Sequence, residues 1–178
     1  MTFDAAYKTL HDFYVLSATG SATLVGLLFV GLSLHLRTVI AVAEVRSLAR
    51  FTLSNFGTVL FASMFLVINE GEMTNGYQLI GIALVTMVVV SSSVASLFRG
   101  TQRLTRNRAD RVRILLRFGS SAVGYVAVGA AGVLLLANQV ALFMLVIEVS
   151  FVLLLVVSLR NTWDLLVTVA EASGGKDS

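Results

Sequence analysis

The uncharged stretches of this chain restrict its fold most. Phe13–Leu36 runs 24 positions without a formal charge, Phe51–Asn69 runs 19 and Met73–Phe98 runs 26. Phe118–Leu159 then runs 42 positions with a single charge, Glu148. A bilayer core takes about 20 helical residues, so the last run holds two spans. The polar pair Asn138-Gln139 divides them and reads as a tight turn. Five spans are expected, at 13–36, 51–69, 77–98, 115–136 and 140–159. Barrel strands are shorter and alternate polar with apolar residues. In lipid every backbone amide must be paired within its own segment, so these spans are helices.

Composition supports the same class. Hydrophobic residues make up 57% of the 178, charged residues 13%, and mean hydropathy is +0.88. With the 14 Gly the apolar share reaches about 65%, against roughly 45–50% in a soluble domain. The fold class is therefore all-α, a single transmembrane bundle over 1–170 with a flexible cytoplasmic tail at 171–178. Glu148 costs its span about 2.5–3.5 kcal/mol, and 15 Leu, Val, Ile or Phe within 140–159 outweigh it.

The positively charged residues give the orientation. Lys8 is the one basic residue before the first span, and the segment 37–50 holds Arg37, Arg46 and Arg50. The loop 70–76 holds none, 99–117 holds seven Arg, and the turn 137–139 holds none. This alternation places the N-terminus outside and the C-terminus in the cytoplasm. The first apolar run is too long for a signal peptide and lacks a basic leader.

Several chemistries are excluded. The chain has no Cys, hence no disulfide, thiolate nucleophile or Cys-type metal site. His11 and His35 are about 36 Å apart on one helix and cannot share a metal within a subunit. No catalytic constellation is visible, so no enzyme, metal or cofactor is expected.

Glu148 leads the candidates, because an ionisable group at membrane depth marks function by default. It lies roughly 12 Å below the outer surface at the helical rise. Thr19, Ser21, Thr23, Ser63, Thr86 and Tyr125 are expected near that depth. Glu148, Tyr125, Ser21 and Thr86 form a candidate ion or proton path. The competing reading is a protonated Glu that bonds a neighbouring helix.

Arg99, Arg103, Arg106, Arg113 and Arg117 fall roughly on one helical face. They are candidates for docking anionic lipid or a membrane protein partner; the other reading is a purely topogenic signal. Without interleaved aromatics they do not suggest nucleic acid. Ala22-xxx-Gly26, Ser120-xxx-Gly124 and Ala127-xxx-Ala131 let helices approach closely, inside one bundle or in a homo-oligomer. Gly20, Gly26 and Gly31 could instead unwind the first span around an ion. Asn55, with Thr52 and Ser54, and Ser91, Ser92, Ser93 and Ser96 could wet an inner cavity or bond their own helix carbonyls.

Leu48-x-Arg50-Phe51-x-x-Ser54-x-x-Gly57-x-Val59 also matches Leu115-x-Arg117-Phe118-x-x-Ser121-x-x-Gly124-x-Val126. The match fits either a duplicated hairpin or a common way of opening a span from the cytoplasm.

The stretch Ala18–Leu34, with its Leu-Val-Gly-Leu-Leu-Phe-Val-Gly run, resembles the opening helix of a set of small bacterial inner-membrane proteins. Some of these are labelled modulators of a membrane protease. The resemblance implies a bacterial inner-membrane setting and carries no functional residue over. Those proteins usually have Pro after the second span, and Asn69–Tyr77 has none. Two functions stay open: an oligomeric ion or proton channel or carrier built on Glu148, and a non-transporting scaffold or regulatory subunit docking through the Arg loop.

Overall fold

The structure, a computed structural model, describes residues 3–34, 36–41, 43–68, 70–101 and 108–174. Side chains are described over 7–34, 36, 39–40, 45–68, 70–92 and 119–167. The described residues form α1 (Phe3–Leu34), α2 (Leu36–Ala41), α3 (Ala43–Ile68), α4 (Glu72–Thr101), α5 (Arg108–Leu136) and α6 (Val140–Gly174). All but the short α2 are long and apolar enough to cross a membrane, at Tyr7–Leu34, Val45–Ile68, Glu72–Ser92, Gly119–Leu136 and Val140–Val167. The chain has no Pro to break them.

All five long helices run beyond the expected spans, α1 and α6 by the most. α1 starts at Phe3, well before residue 13, because Leu10 and Tyr14 fall on its buried face and the Tyr7 hydroxyl donates to the Val67 carbonyl at 2.7 Å. The segment expected to precede the first span is thus part of the bundle wall. α6 continues past 159 to Gly174, and residues 171–174 of the expected tail are helical. Leu165 is buried beyond the expected end, and no helix breaker intervenes.

The turn between α5 and α6 lies where Asn138-Gln139 placed it. Asn138 is left-handed at φ 60°. Its amide donates to the Leu135 carbonyl and that of Gln139 to Leu134, the paired bonds of a Schellman stop. Asn tolerates this conformation and β-branched residues do not. Asn138→Val is expected to lower stability by about 1–2 kcal/mol, and Asn138→Gly to be nearly neutral. Thermal unfolding in detergent would show this, and equal midpoints for the two variants would contradict it.

α1 packs on α3 and α6, α3 on α4 and α6, α4 on α5, and α5 on α6. The five long helices close a ring, with α3 touching α6 across it. One end, the turn end, carries residues 70–71 and 137–139. The other, the arginine end, carries the end of α4 and the start of α5. A large buried cluster that includes Tyr14, Leu66, Leu79, Leu135 and Phe151 fills the ring. A smaller one of Leu28, Val45, Ala49, Phe56 and Leu165 lies toward the arginine end. Leu16, Val88, Val126, Leu145 and Val156 face outward, each more than half exposed. Apolar surface on every outward face exceeds what soluble monomers present and suits a lipid environment.

Close approach is concentrated between α4 and α5. A Cβ on Gly132 would lie 2.7 Å from the Gly76 carbonyl oxygen, and one on Gly129 would lie 3.2 Å from Ala83 Cβ. Without a hydrophobic drive between helices in lipid, such contacts are what hold spans together. The α3–α6 and α5–α4 pairings are those that a twofold relating two parallel hairpins would generate. The local environments differ, however. Gly124 presses on the Leu154 side chain, whereas its sequence counterpart Gly57 meets nothing within 4 Å.

Candidate functional site

Inter-helix contacts set the relative heights of the helices. Tyr14 and Phe13 meet the Phe151 ring, and Gly31 faces Leu166. α1 and α6 therefore run parallel, offset by about 136 residues at equal rise. Tyr7 reaches Val67, while Leu28 shares a cluster with Val45 and Ala49, so α1 and α3 run antiparallel. Asn55 meets Ser121 and Tyr125 on the parallel α5, and Gly124 faces Leu154 on α6. All four registers agree. They bring Ser21 of α1, Thr52 and Asn55 of α3, Ser121 of α5 and Ser158 of α6 within about one helical turn in height.

Each of these five side chains is fully buried, as is Tyr125 about a turn nearer the turn end. Asn55 is the hub. Its Nδ2 donates to Ser121 Oγ at 3.0 Å, and its Oδ1 accepts from the Tyr125 hydroxyl. Thr52 bonds the Leu48 carbonyl at 2.9 Å. Ser21 Oγ, Ser158 Oγ and, one turn further, Asn161 Nδ2 are buried without a protein partner. Burying a polar group without a hydrogen bond costs roughly 1–3 kcal/mol, so such a layer is expensive inside an apolar bundle.

The polar groups continue toward the turn end along one face of α1. Ser17 and Tyr14 are buried, and His11 and Tyr7 follow at helical spacing with their rings edge to face at 5.6 Å. Glu148 of α6 is half-buried and lies within electrostatic range of Tyr14. His11 Nδ1 lies 3.4 Å from Asp12 Oδ1. The arrangement is a ladder along α1, α3 and α6, from His11 through Tyr14 and Glu148 to Ser21, Ser158 and Asn161.

The expected residues are distributed along this ladder and do not share one layer. Glu148 sits at the height of His11 and Asp12, with Ser63 close to that height and its buried hydroxyl unpaired. Tyr125 lies about one and a half turns, and Ser21 about two and a half turns, nearer the arginine end. The reason is that α1 begins ten residues early, so counting depth from residue 13 places Ser21 too near the surface. Thr86 lies apart, on the α3–α4 contact, 3.0 Å from the Thr58 hydroxyl. Thr58 and Thr86 also reach the Ser54 and Ile82 carbonyls at 2.8 Å each. Two hydroxyl protons can serve only two of these three contacts at once.

Thr19 and Thr23 point outward and bond the Val15 and Thr19 carbonyls. Gly20, Gly26 and Gly31 lie within the continuous helix α1, so no unwinding occurs there. Of the small-residue pairs, Gly124 and Ala131 are used inside the bundle, while Ala22 and Gly26 face outward. Ser91 and Ser92 bond the Val88 and Val89 carbonyls. Arg103 and Arg106 lie outside the described residues, as do the side chains of Arg99, Arg113 and Arg117, Ser93 and Ser96.

Sequence reasoning missed Tyr14, Ser17, Ser158 and Asn161. The spacing of Tyr14, Ser17 and Ser21 along one helical face was the available signal. Among the described residues no cluster of three or more His, Asp or Glu could hold a metal. Comparison with known protein families, with characterised proteins and with solved structures finds no match.

Proposed function

We propose that this multi-pass protein moves protons across a bacterial inner membrane along the ladder between α1, α3 and α6. The carrying observation is the layer of buried polar side chains, with Ser21 Oγ and Ser158 Oγ unpaired. A hydrated ion needs a wet pore, whereas a proton needs only groups that both donate and accept. Hydroxyls and a carboxyl meet that need, and these are the groups on the ladder. His11 and Glu148 are the titratable members near the turn end, which faces outside under the positive-inside reading. Tyr14 hands on from Glu148, Ser17, Ser21 and Ser158 relay, and Asn55 and Asn161 orient them. The outward stripe of Thr19, Ala22, Thr23 and Gly26 suits contact with further copies in a homo-oligomer.

The test is proton flux in liposomes under a potassium diffusion potential, read with a trapped pH dye. Wild-type protein is expected to dissipate the gradient. Glu148→Gln should slow it by roughly a hundredfold, the effect of removing a positioned proton-transfer group. Ser21→Ala with Ser158→Ala should also slow it, and outward Thr19→Ala should not. Flux no higher than in protein-free vesicles, or unchanged in Glu148→Gln, would refute the reading.

A further inference from the structure

A groove of about 730 Å³ runs along the outside of the α3–α4 hairpin, with Val25 of α1 also lining it. Leu53, Phe61 and Phe65 of α3 wall one side, and Ile82, Val85 and Val89 of α4 wall the other. It exists because Gly57 and Gly81 leave open space, with nothing within 4 Å of either Cβ position. On the equivalent hairpin Leu154 fills the space beside Gly124. From Phe65 to Leu53 the groove is about 18 Å long at the helical rise, close to the roughly 15 Å of one leaflet's hydrocarbon. The Thr58 and Thr86 hydroxyls in its floor are engaged with each other and with their own helix carbonyls. The floor is therefore apolar in effect and suits a hydrocarbon chain.

The end of the groove nearest the turn end is polar and selective. Gln78 lines it there, and its Nε2 donates to Glu70 Oε2 at 2.9 Å. That bond occupies one amide proton, while Gln78 Oε1 is buried without a protein partner. Gln78 Oε1 is closed to solvent, so the acceptor that the mouth offers is the exposed Glu70 carboxylate that Gln78 Nε2 holds, with Glu72 in the first turn of α4. Such a mouth favours a cationic donor and repels an anionic headgroup. A primary ammonium offers three donors and a positive charge, whereas a quaternary ammonium offers no donor.

We infer that the α3–α4 groove is a binding site for one bilayer lipid with a primary-ammonium headgroup. An acyl chain lies between Gly57 and Gly81, and the ammonium is held by the Glu70 carboxylate, which Gln78 Nε2 positions.

Native mass spectrometry of the full chain tests this, with protein released from vesicles of equal ethanolamine, choline and glycerol phospholipids. Wild-type protein should retain one ethanolamine lipid per chain, several-fold over the other two. Gln78→Leu or Glu70→Gln should erase the preference while a lipid is still retained. Gly57→Leu with Gly81→Leu fills open space, so the protein should stay folded and lose the lipid. Equal retention of the three lipids by wild-type protein would overturn the site. So would unchanged retention in the filled variant. A filled variant that loses a second copy of the chain and no lipid would also overturn it, by showing that a protein helix occupies the groove.

Discussion

Gly132→Leu is expected to abolish the folded bundle. A Cβ there would stand 2.7 Å from the Gly76 carbonyl oxygen, 2.9 Å from Ile80 Cγ1 and 3.1 Å from Leu79 Cβ. The nearest obstacle is backbone, which has no rotamer to change. α4 and α5 must separate, and the contact they lose is one the bundle relies on in the absence of a hydrophobic drive. Overpacking commonly costs about 1–3 kcal/mol, and an obstruction by backbone belongs at or above the top of that range. Gly76→Ala should be milder: its Cβ would meet the Leu136 side chain at 2.8 Å, which is partly exposed and can turn away, and backbone only at 3.2 Å, the Gly132 carbonyl oxygen. Gly119→Leu, outside the stripe assigned to contact between copies, should fall within about 0.5 kcal/mol of wild type, as nothing lies within 4 Å. Size-exclusion profiles and unfolding in mixed detergent would give the order. Gly132→Leu as stable as Gly119→Leu would mean that the two helices do not meet there.

Asn55→Leu should have the second largest effect, on both stability and proton movement. The substitution nearly keeps volume but leaves the Tyr125 hydroxyl and Ser121 Oγ unpaired in a fully buried layer. Each lost inter-helix bond is worth about 0.6–1.7 kcal/mol in membrane proteins, so a loss of about 1–3 kcal/mol is expected. Tyr125→Phe and Ser121→Ala each remove one bond and should cost less. Combined with Asn55→Leu they should add little further, since their bonds are already gone; a double-mutant cycle reads this directly. Flux should fall with Asn55→Leu, because Asn55 sets the direction of the hydroxyls around it. Additive losses in the cycle would show that the three residues do not act as one network.

What the sequence disclosed depended on the range of the interactions involved. The turn at Asn138-Gln139 was legible because its determinants are local: two polar residues, one able to adopt the left-handed conformation. The start of α1 was not. Lys8 and Asp12 mark a charged segment ahead of the first apolar run, and the burial of Leu10 and the Tyr7–Val67 bond, 60 residues apart in sequence, show that this part of the helix belongs to the wall. Thr52 behaved as local chemistry predicts and bonded the Leu48 carbonyl. Asn55, three residues on, bonded across to α5, since its amide is long enough to leave its own helix. Glu148 was legible as a residue of interest, but Tyr14 beside it was not, because heights between helices are set by packing and cannot be counted along the chain.

The contact of α3 with α6 across the ring has a consequence for synthesis. A chain made from its N-terminus delivers Asn55 and Thr52 long before Ser121, Tyr125 and Ser158 exist. At about 5–20 residues per second, α3 waits roughly 5–20 seconds for the last of these partners. During that interval its amide has only water, lipid headgroups or the insertion machinery to bond. The newly made first half is therefore an open, polar-edged intermediate that must be held near its exit site until α5 and α6 arrive to close it.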